Sequence, residues 1–397
     1  MYFMKKLVPG LCALALTMPA MAQGDFSLSG KINGLPDSVK VILVDIENPD
    51  NGPKEIASAN PKNGAFELKG KVASPRMCEV LFQRYSPKQE RYYTSLSVRT
   101  MIDPANLTMA NPPYDFDSLL NVRSARMEQA LKVTGSTIAD EFAEFRAAVA
   151  DAEYDKNEAS YLSARKYFDS NADPDTVRKY NAIKKIEADK YEEVRNRFIA
   201  AHPSYNISAY ETQRELENIF KYNAAQIDAM ADLVKACPDT ARTNMVEKRR
   251  KFAHRYELGM KCPQIDVTTP EDAIVDFNTM ITPGKFTFID FWASWCGPCR
   301  QAIPHVKELY AKYGDKMNIY SISVDENEKG WRKAMEKEEM PWPQFILKGD
   351  DQLGKGSRAF FISTIPRLIL LDADGRVICS TNSPDEITEV IEANLGK

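Results

Sequence analysis

Two cysteines three positions apart, in Cys296-Gly297-Pro298-Cys299, carry the most specific chemistry in this sequence. They follow an apolar run, Phe286-Thr287-Phe288-Ile289-Asp290-Phe291-Trp292, that holds one carboxylate, with Ala293-Ser294-Trp295 in between. After them Ile303, Val306, Leu309 and Tyr310 recur at helical spacing among charged residues. Cysteines three apart in a first helical turn share a face and can bridge. The unpaired N–H groups of that turn favour a thiolate on the first, Cys296. Pro298 suits the first turn, where the N–H it lacks has no intrahelical partner. The chemistry implied is reversible dithiol–disulfide exchange. Two other uses of the pair fit less well. Zinc needs four ligands, and no second Cys-x-x-Cys or paired His follows. A structural bridge at a helix start closes almost no loop and constrains the unfolded chain little.

Such a pair needs a strand to deliver it and a helix to begin on it. The stretch Phe291-Trp292-Ala293-Ser294-Trp295-Cys296-Gly297-Pro298-Cys299 resembles the active site of the thioredoxin superfamily. Its longer setting, with Ile303-Pro304, is similar to the extracytoplasmic TlpA/ResA-like branch, and the resemblance covers roughly the last third of the chain. The segments around it read as an edge strand at 273–277, a central strand at 286–292, a strand at 318–324 and a helix at about 328–338. A strand at 367–371, a turn at Asp372-Ala373-Asp374-Gly375, a strand from Val377 and a closing helix at 386–395 follow. This β-α-β then β-β-α order matches the thioredoxin fold.

The resemblance implies a role for each residue of the site. Cys296 is expected as the exposed nucleophile and Cys299 as the buried resolving thiol. Asp290 matches the superfamily's buried acid; on a strand face shared with Phe288 and Trp292, desolvation raises its pKa and lets it exchange a proton with Cys299. The alternative for Asp290 is a carboxylate satisfied by backbone near a strand end. Ile365-Pro366 corresponds to the superfamily's cis-proline, which exposes the Ile365 backbone beside Cys296 for an extended substrate segment. Trp295, Gly297 and Pro298 line the substrate side, and Trp292 either walls the site or fills the core. One departure stands out. TlpA/ResA-like proteins often carry a glutamate three residues after the second cysteine, where this chain has Ala302. The acid is then expected from the strand, and a cytochrome-maturation role is in doubt. Gly297-Pro298 between the cysteines and Ile365 before the proline both resemble thioredoxin, a reductant near about −270 mV. The expected activity is reduction of protein disulfides, recharged by a membrane electron donor. A disulfide oxidase or isomerase would use the same residues. A peroxidase is disfavoured, because Pro-x-x-x-Thr/Ser-x-x-Cys is absent around Cys296. An envelope binding protein whose thiols gate contact stays open. No cofactor or metal is expected.

The rest of the 397 residues bound this reading. Lys5 and Lys6, an apolar stretch from Leu7 to Met18, and Ala20-Met21-Ala22 read as a secretory signal over 1–22. Pro9, Gly10 and Pro19 leave it shorter than the about 20 apolar residues a spanning helix needs. A periplasmic or cell-envelope protein without stable membrane insertion is expected. The formal charge is −4; the first 22 residues hold two lysines and no acid, so the processed chain carries −6. With no basic run, nucleic acid is not an expected partner. Of seven cysteines, Cys78, Cys237, Cys262 and Cys379 stand singly and read as buried unpaired thiols, with a Cys237–Cys262 bridge as the alternative.

Residues 23–114 alternate apolar and polar between turn signals such as Asn33-Gly34 and Asn63-Gly64, which predicts a β-sandwich or barrel-like module. The run 63–70 resembles an N-terminal module of unassigned function that precedes such thioredoxin domains. Residues 115–257 are nearly free of glycine and show helical stripes, Ile138-Phe142-Phe145 and Tyr191-Val194-Phe198, with breaks at Asp173-Pro174 and His202-Pro203. They read as a helical linker domain that positions or dimerises the rest. Residues 258–397 form the thioredoxin-like α/β domain. The expected fold class is multidomain α+β.

Overall fold

The computed structural model describes residues 24–47, 52–121, 129–167, 169 and 171–396. The expected signal peptide lies outside the described residues. The chain divides into two compact units, residues 1–159 with 187–195, and 160–186 with 196–397.

The first unit is strand-rich. Strands β1 (Gly24–Lys31), β4 (Ala65–Val72), β7 (Asn106–Met109) and β8 (Val133–Thr134) form one four-stranded sheet in the order β4-β1-β7-β8. Strands β2 (Lys40–Asp45), β3 (Lys54–Ala59), β5 (Arg76–Ser86) and β6 (Arg91–Ile102) form a second, ordered β3-β2-β5-β6. Period-two patterning sets the faces. In β4, Phe66, Leu68 and Val72 are buried while Glu67, Lys69 and Lys71 point to water. Phe26, Leu28, Phe66 and Leu68 of one sheet share a core with Val41, Leu43, Val80 and Phe82 of the other, so the two sheets make a sandwich. Asn63 and Gly64 both adopt positive φ, 52° and 77°, as a two-residue turn between Lys62 and Ala65 demands. The sequence changes character at about residue 115, but the core continues beyond it. The short helix α1 (Phe116–Leu119) contributes Phe116 and Leu119, and Leu131, Val133 and Ala139 join the same cluster. The physical reason is β8, which pairs with β7 and brings the chain back to the sandwich.

Five longer helices follow: α2 (Thr137–Tyr167), α3 (Pro174–Ala201), α4 (Asn206–Glu215), α5 (Ala224–Leu233) and α6 (Thr240–Ala253). Asp173 caps α3 by accepting from the Thr176 N–H. Asp239 caps α6 by accepting from Ala241 and Arg242. Helix α6 ends at Ala253 with one 3₁₀ turn beyond it. Among the described residues no helix is long and apolar enough to cross a membrane.

The second unit is built on a seven-stranded sheet ordered β10-β9-β13-β12-β11-β14-β15. Its strands are β9 (Asp266–Thr268), β10 (Ile274–Asp276), β11 (Phe286–Trp292), β12 (Met317–Ser323), β13 (Gln344–Ile346), β14 (Arg367–Leu371) and β15 (Val377–Thr381). β11, β12 and β13 are parallel neighbours, and β14 and β15 run antiparallel. Covered on both faces, β11 is apolar almost throughout. Its odd residues Ile289 and Phe291 face a core shared with Phe220, Phe277 and Phe360. The opposite face is covered by α7 (Gly297–Tyr313), α8 (Glu328–Glu338) and α10 (Pro384–Leu395), which bury Val306, Leu309, Trp331 and Ile387. Helix α9 (Gly349–Ala359) and strands β9 and β13 went unread in the sequence; each of the two strands is only three residues long.

Candidate active site

The site stands at the C-terminal end of β11, where the chain turns through Ala293-Ser294-Trp295 into α7. Cys296 is the N-cap of α7, in extended conformation (φ −80°, ψ 100°), and its Sγ accepts from the Cys299 N–H at 3.1 Å. Pro298 occupies the first turn. Cys296 and Cys299 are joined as a disulfide with their Cα atoms 5.3 Å apart. A sulfur held at a helix N-terminus by a backbone N–H lies where negative charge is favoured.

The cis peptide Ile365-Pro366 comes up against this pair, with the Ile365 carbonyl oxygen 3.9 Å from Cys296 Sγ. It corrects one expectation: Cys296 is not exposed. In the disulfide it is 5% accessible and Cys299 3%, because Cys296 Sγ is turned towards Cys299 and the Ile365 segment. The exposed surface belongs to its neighbours, Gly297, Pro298 and above all Trp295, which is 70% accessible. Trp292 is fully buried in one cluster with Cys296, Cys299, Ile303 and Trp331, so it is core.

Asp290 lies two residues before Trp292 on the same face of β11 and is 4% accessible. Burial pushes its carboxyl up to about 7, against a lowering by the hydrogen bond that Ser321 Oγ donates to Oδ2 at 3.0 Å. Ser321 in turn accepts from the Trp342 indole N–H at 2.9 Å. The turn between β11 and α7 is held from β12. Asp325 accepts from the Ser294 N–H at 2.7 Å and from the Ser294 hydroxyl at 2.6 Å. Beside the cis-proline, Asn382 Nδ2 donates to the Pro366 carbonyl at 2.6 Å and to Thr364 Oγ1 at 3.1 Å.

The family model described as thioredoxin-like matches residues 284–377. Over 144 residues the chain is 30% identical to the thiol–disulfide oxidoreductase ResA of Bacillus thuringiensis subsp. konkukian, covering 36% of this chain and 79% of that protein. The chain belongs to the thioredoxin-like thiol–disulfide oxidoreductases. It is also 33% identical over 108 residues to tryparedoxin of Trypanosoma brucei brucei, covering 27% of this chain and 74% of that one. The thioredoxin domain of a thiol–disulfide oxidoreductase from Bacteroides vulgatus matches with 26% identity and a TM-score of 0.32, over 34% of this chain and 96% of that chain. Residues 26–142 match a domain of unknown function, DUF4369.

For a thiol–disulfide oxidoreductase the remaining cysteines among the described residues are placed out of reach of the chemistry. Cys78, Cys237, Cys262 and Cys379 are buried, and Cys237 and Cys262 are not bridged. Burial pushes the Cys262 and Cys379 thiols up to about 12 and Cys78 well above its usual value. Every residue expected at the site from the sequence falls at this end of the sheet or, for Asp290, beneath it. Ser321, Trp342, Asn382 and Asp325 were not foreseen as parts of the site. The available signal was two polar residues, Ser321 and Ser323, alternating inside the apolar run of β12.

Proposed function

We propose that this chain is an exported protein-disulfide reductase in which Cys296 attacks, Cys299 resolves and Asp290 takes the proton. In the reduced protein the Cys296 thiolate attacks a substrate disulfide, forming a mixed disulfide and releasing one substrate thiolate, which takes a proton from water. Cys299 then gives its proton to the Asp290 carboxylate and attacks Cys296 Sγ, releasing the second substrate thiolate. Two electrons pass to the substrate, and the protein is left with the Cys296–Cys299 disulfide. The observation that carries this reading is Cys296 Sγ at the N-cap of α7, accepting from the Cys299 N–H above a buried acid poised near neutrality. Exposed Trp295, Gly297 and Pro298, with the Ile365-Pro366 backbone beside them, form the surface for an extended protein substrate.

The reducing direction rests on Gly297-Pro298 and Ile365, and export rests on the signal-like 1–22 segment. A membrane electron donor returns the pair to the dithiol in the periplasm or envelope. The module at 23–114 is a structural or docking module, and the helices of 115–257 position or dimerise the rest. The deciding measurement is the potential of the Cys296–Cys299 couple by equilibration with glutathione or dithiothreitol. The expected value lies near about −270 mV; a value near about −120 mV makes the protein a disulfide donor instead. A pair that does not titrate removes the exchange mechanism.

A further inference from the structure

The geometry points to Ser321 and Trp342 as positioning residues for Asp290: the Trp342 indole orients the Ser321 hydroxyl so that its single proton is donated to the carboxylate. The inference rests on Asp290 serving as the proton acceptor for Cys299, and extends that reading to residues on β12 and ahead of β13.

The argument is one of donors and acceptors. An indole N–H can only donate, and a hydroxyl has one proton and two lone pairs. Trp342 Nε1 lies 2.9 Å from Ser321 Oγ, so Ser321 must accept there. Its own proton is then directed to Asp290 Oδ2, 3.0 Å away. An ionised carboxylate is acceptor only, so the chain Trp342 to Ser321 to Asp290 has one polarity. All three side chains are buried. The indole is itself held in place, packed on Tyr310 of α7 with ring centroids 5.6 Å apart, in the cluster that contains Phe288. A preceding donor strengthens the next bond in such a chain, and in a dry interior each bond counts for more than it would in water.

The effect on Asp290 has a definite sign. Burial disfavours the carboxylate and the Ser321 bond favours it. Without the hydroxyl the acid would keep its proton to higher pH and would be a poor acceptor at neutrality; with it, the group is poised where a base works best. In the disulfide form the neighbouring titratable groups leave this balance to Ser321; in the reduced form the Cys299 thiol is the further group that faces Asp290. Thr381 and Leu368 lie in the same cross-strand row as Asp290. Cys379 of β15 is a buried thiol, and Glu386 of α10 accepts from the Thr381 hydroxyl. From α7, Cys299 is in the disulfide and His305 is turned to the Thr388 hydroxyl and the Pro384 carbonyl. Burial and Ser321 are the two causes that move Asp290.

The test is the rate at which the reduced full-length protein cleaves the disulfides of insulin, measured from about pH 5 to about pH 9. Asp290→Asn comes first and should remove the Asp290 step near neutrality, leaving only the step of the Cys296 thiolate; a profile that this variant leaves unchanged overturns Asp290 as acceptor and the inference with it. Given that loss, Ser321→Ala should move the step up by about one pH unit, slow the reaction about fivefold at pH 7 and recover at alkaline pH. Trp342→Phe keeps the ring and loses the donor. It should shift the step the same way by less, and add nothing in the Ser321→Ala background. A step that stays in place in both variants, or a loss of rate equal at every pH, overturns the inference and leaves the role of Asp290 standing. If Ser321→Ala does not fold, Trp342→Phe decides alone.

Discussion

At Asp290 the fold holds an acid where burial opposes its charge, and the consequence can be read in stability as well as in rate. The folded carboxyl titrates near about 7, whereas its ordinary value is 3.8. Between those values the unfolded chain releases this proton while the folded chain keeps it. The unfolded state then binds fewer protons, so this group's contribution falls as pH rises through the window and is level above it. The gap amounts to about 4 kcal/mol at 1.36 kcal/mol per pH unit. Asp290→Asn of the oxidised protein is therefore expected to resist urea better than the parent at about pH 8 and to lose that advantage at about pH 4. Equal destabilisation at both pH values would show that the carboxyl is held mainly by packing. Together with the loss of turnover expected for the same variant, this is the trade of stability for activity found at reaction centres.

The element that matters most is the junction of β11 with α7, since it sets where Cys296 Sγ points. Three residues, Ala293 to Trp295, make this turn, and they are fixed from the end of β12. The Val324 N–H donates to the Trp292 carbonyl at 2.9 Å, and Asp325 takes both the N–H and the hydroxyl of Ser294 as well as the hydroxyl of Ser323. Truncating such an acceptor leaves the part-buried Ser294 donors and the buried Ser323 hydroxyl without it, at about 1–3 kcal/mol for a buried group. Asp325→Ala is expected to lower Tm in calorimetry and to slow insulin reduction, with Asp325→Asn between it and the parent. An Asp325→Ala protein as stable and as fast as the parent would mean that the turn is held by its own backbone. The helix on the other side has its own irregularity. Pro304 lies inside α7 and removes one backbone hydrogen bond, while Arg300, one turn earlier, is anchored to Glu338 of α8 at 2.7 Å.

At the scale of the molecule, the second unit binds part of the helical middle to the thioredoxin-like sheet. Phe220, just after α4, is buried in the core with Ile289, Phe291 and Phe360. Tyr256, at the end of the 3₁₀ turn after α6, packs on both Phe220 and Phe361. The Gly259 N–H continues the link by donating to the Val377 carbonyl at 2.7 Å. Residue 258 is therefore a change of character in the sequence without being an edge of the core. Phe220→Ala should destabilise this unit by about 3–5 kcal/mol in urea unfolding, as removal of a buried phenylalanine does. A cost below about 1 kcal/mol, the size of a surface substitution, would separate the helices from the sheet.

Taken alone, the sequence determined the parts of this protein whose information is local. Cys296, Pro298, Cys299 and Asp290 occupy one strand–turn–helix segment, where alternation, a first-turn proline and cysteine spacing are enough to place them. The sandwich strands and the Asn63-Gly64 turn were legible for the same reason, because a turn needing two positive φ angles admits few residues. What tertiary structure alone decided depends on partners far away in the chain. Asp290 meets Ser321 across 31 positions, Ser321 meets Trp342 across 21, and Cys296 is covered by Ile365 across 69. Before folding, Ser321 is one more polar residue in a strand and Phe220 one more aromatic beside a helix. Only a closed, water-free core gives a hydroxyl a single place to donate its proton, and only there does the burial of a cysteine or a carboxyl acquire chemical meaning.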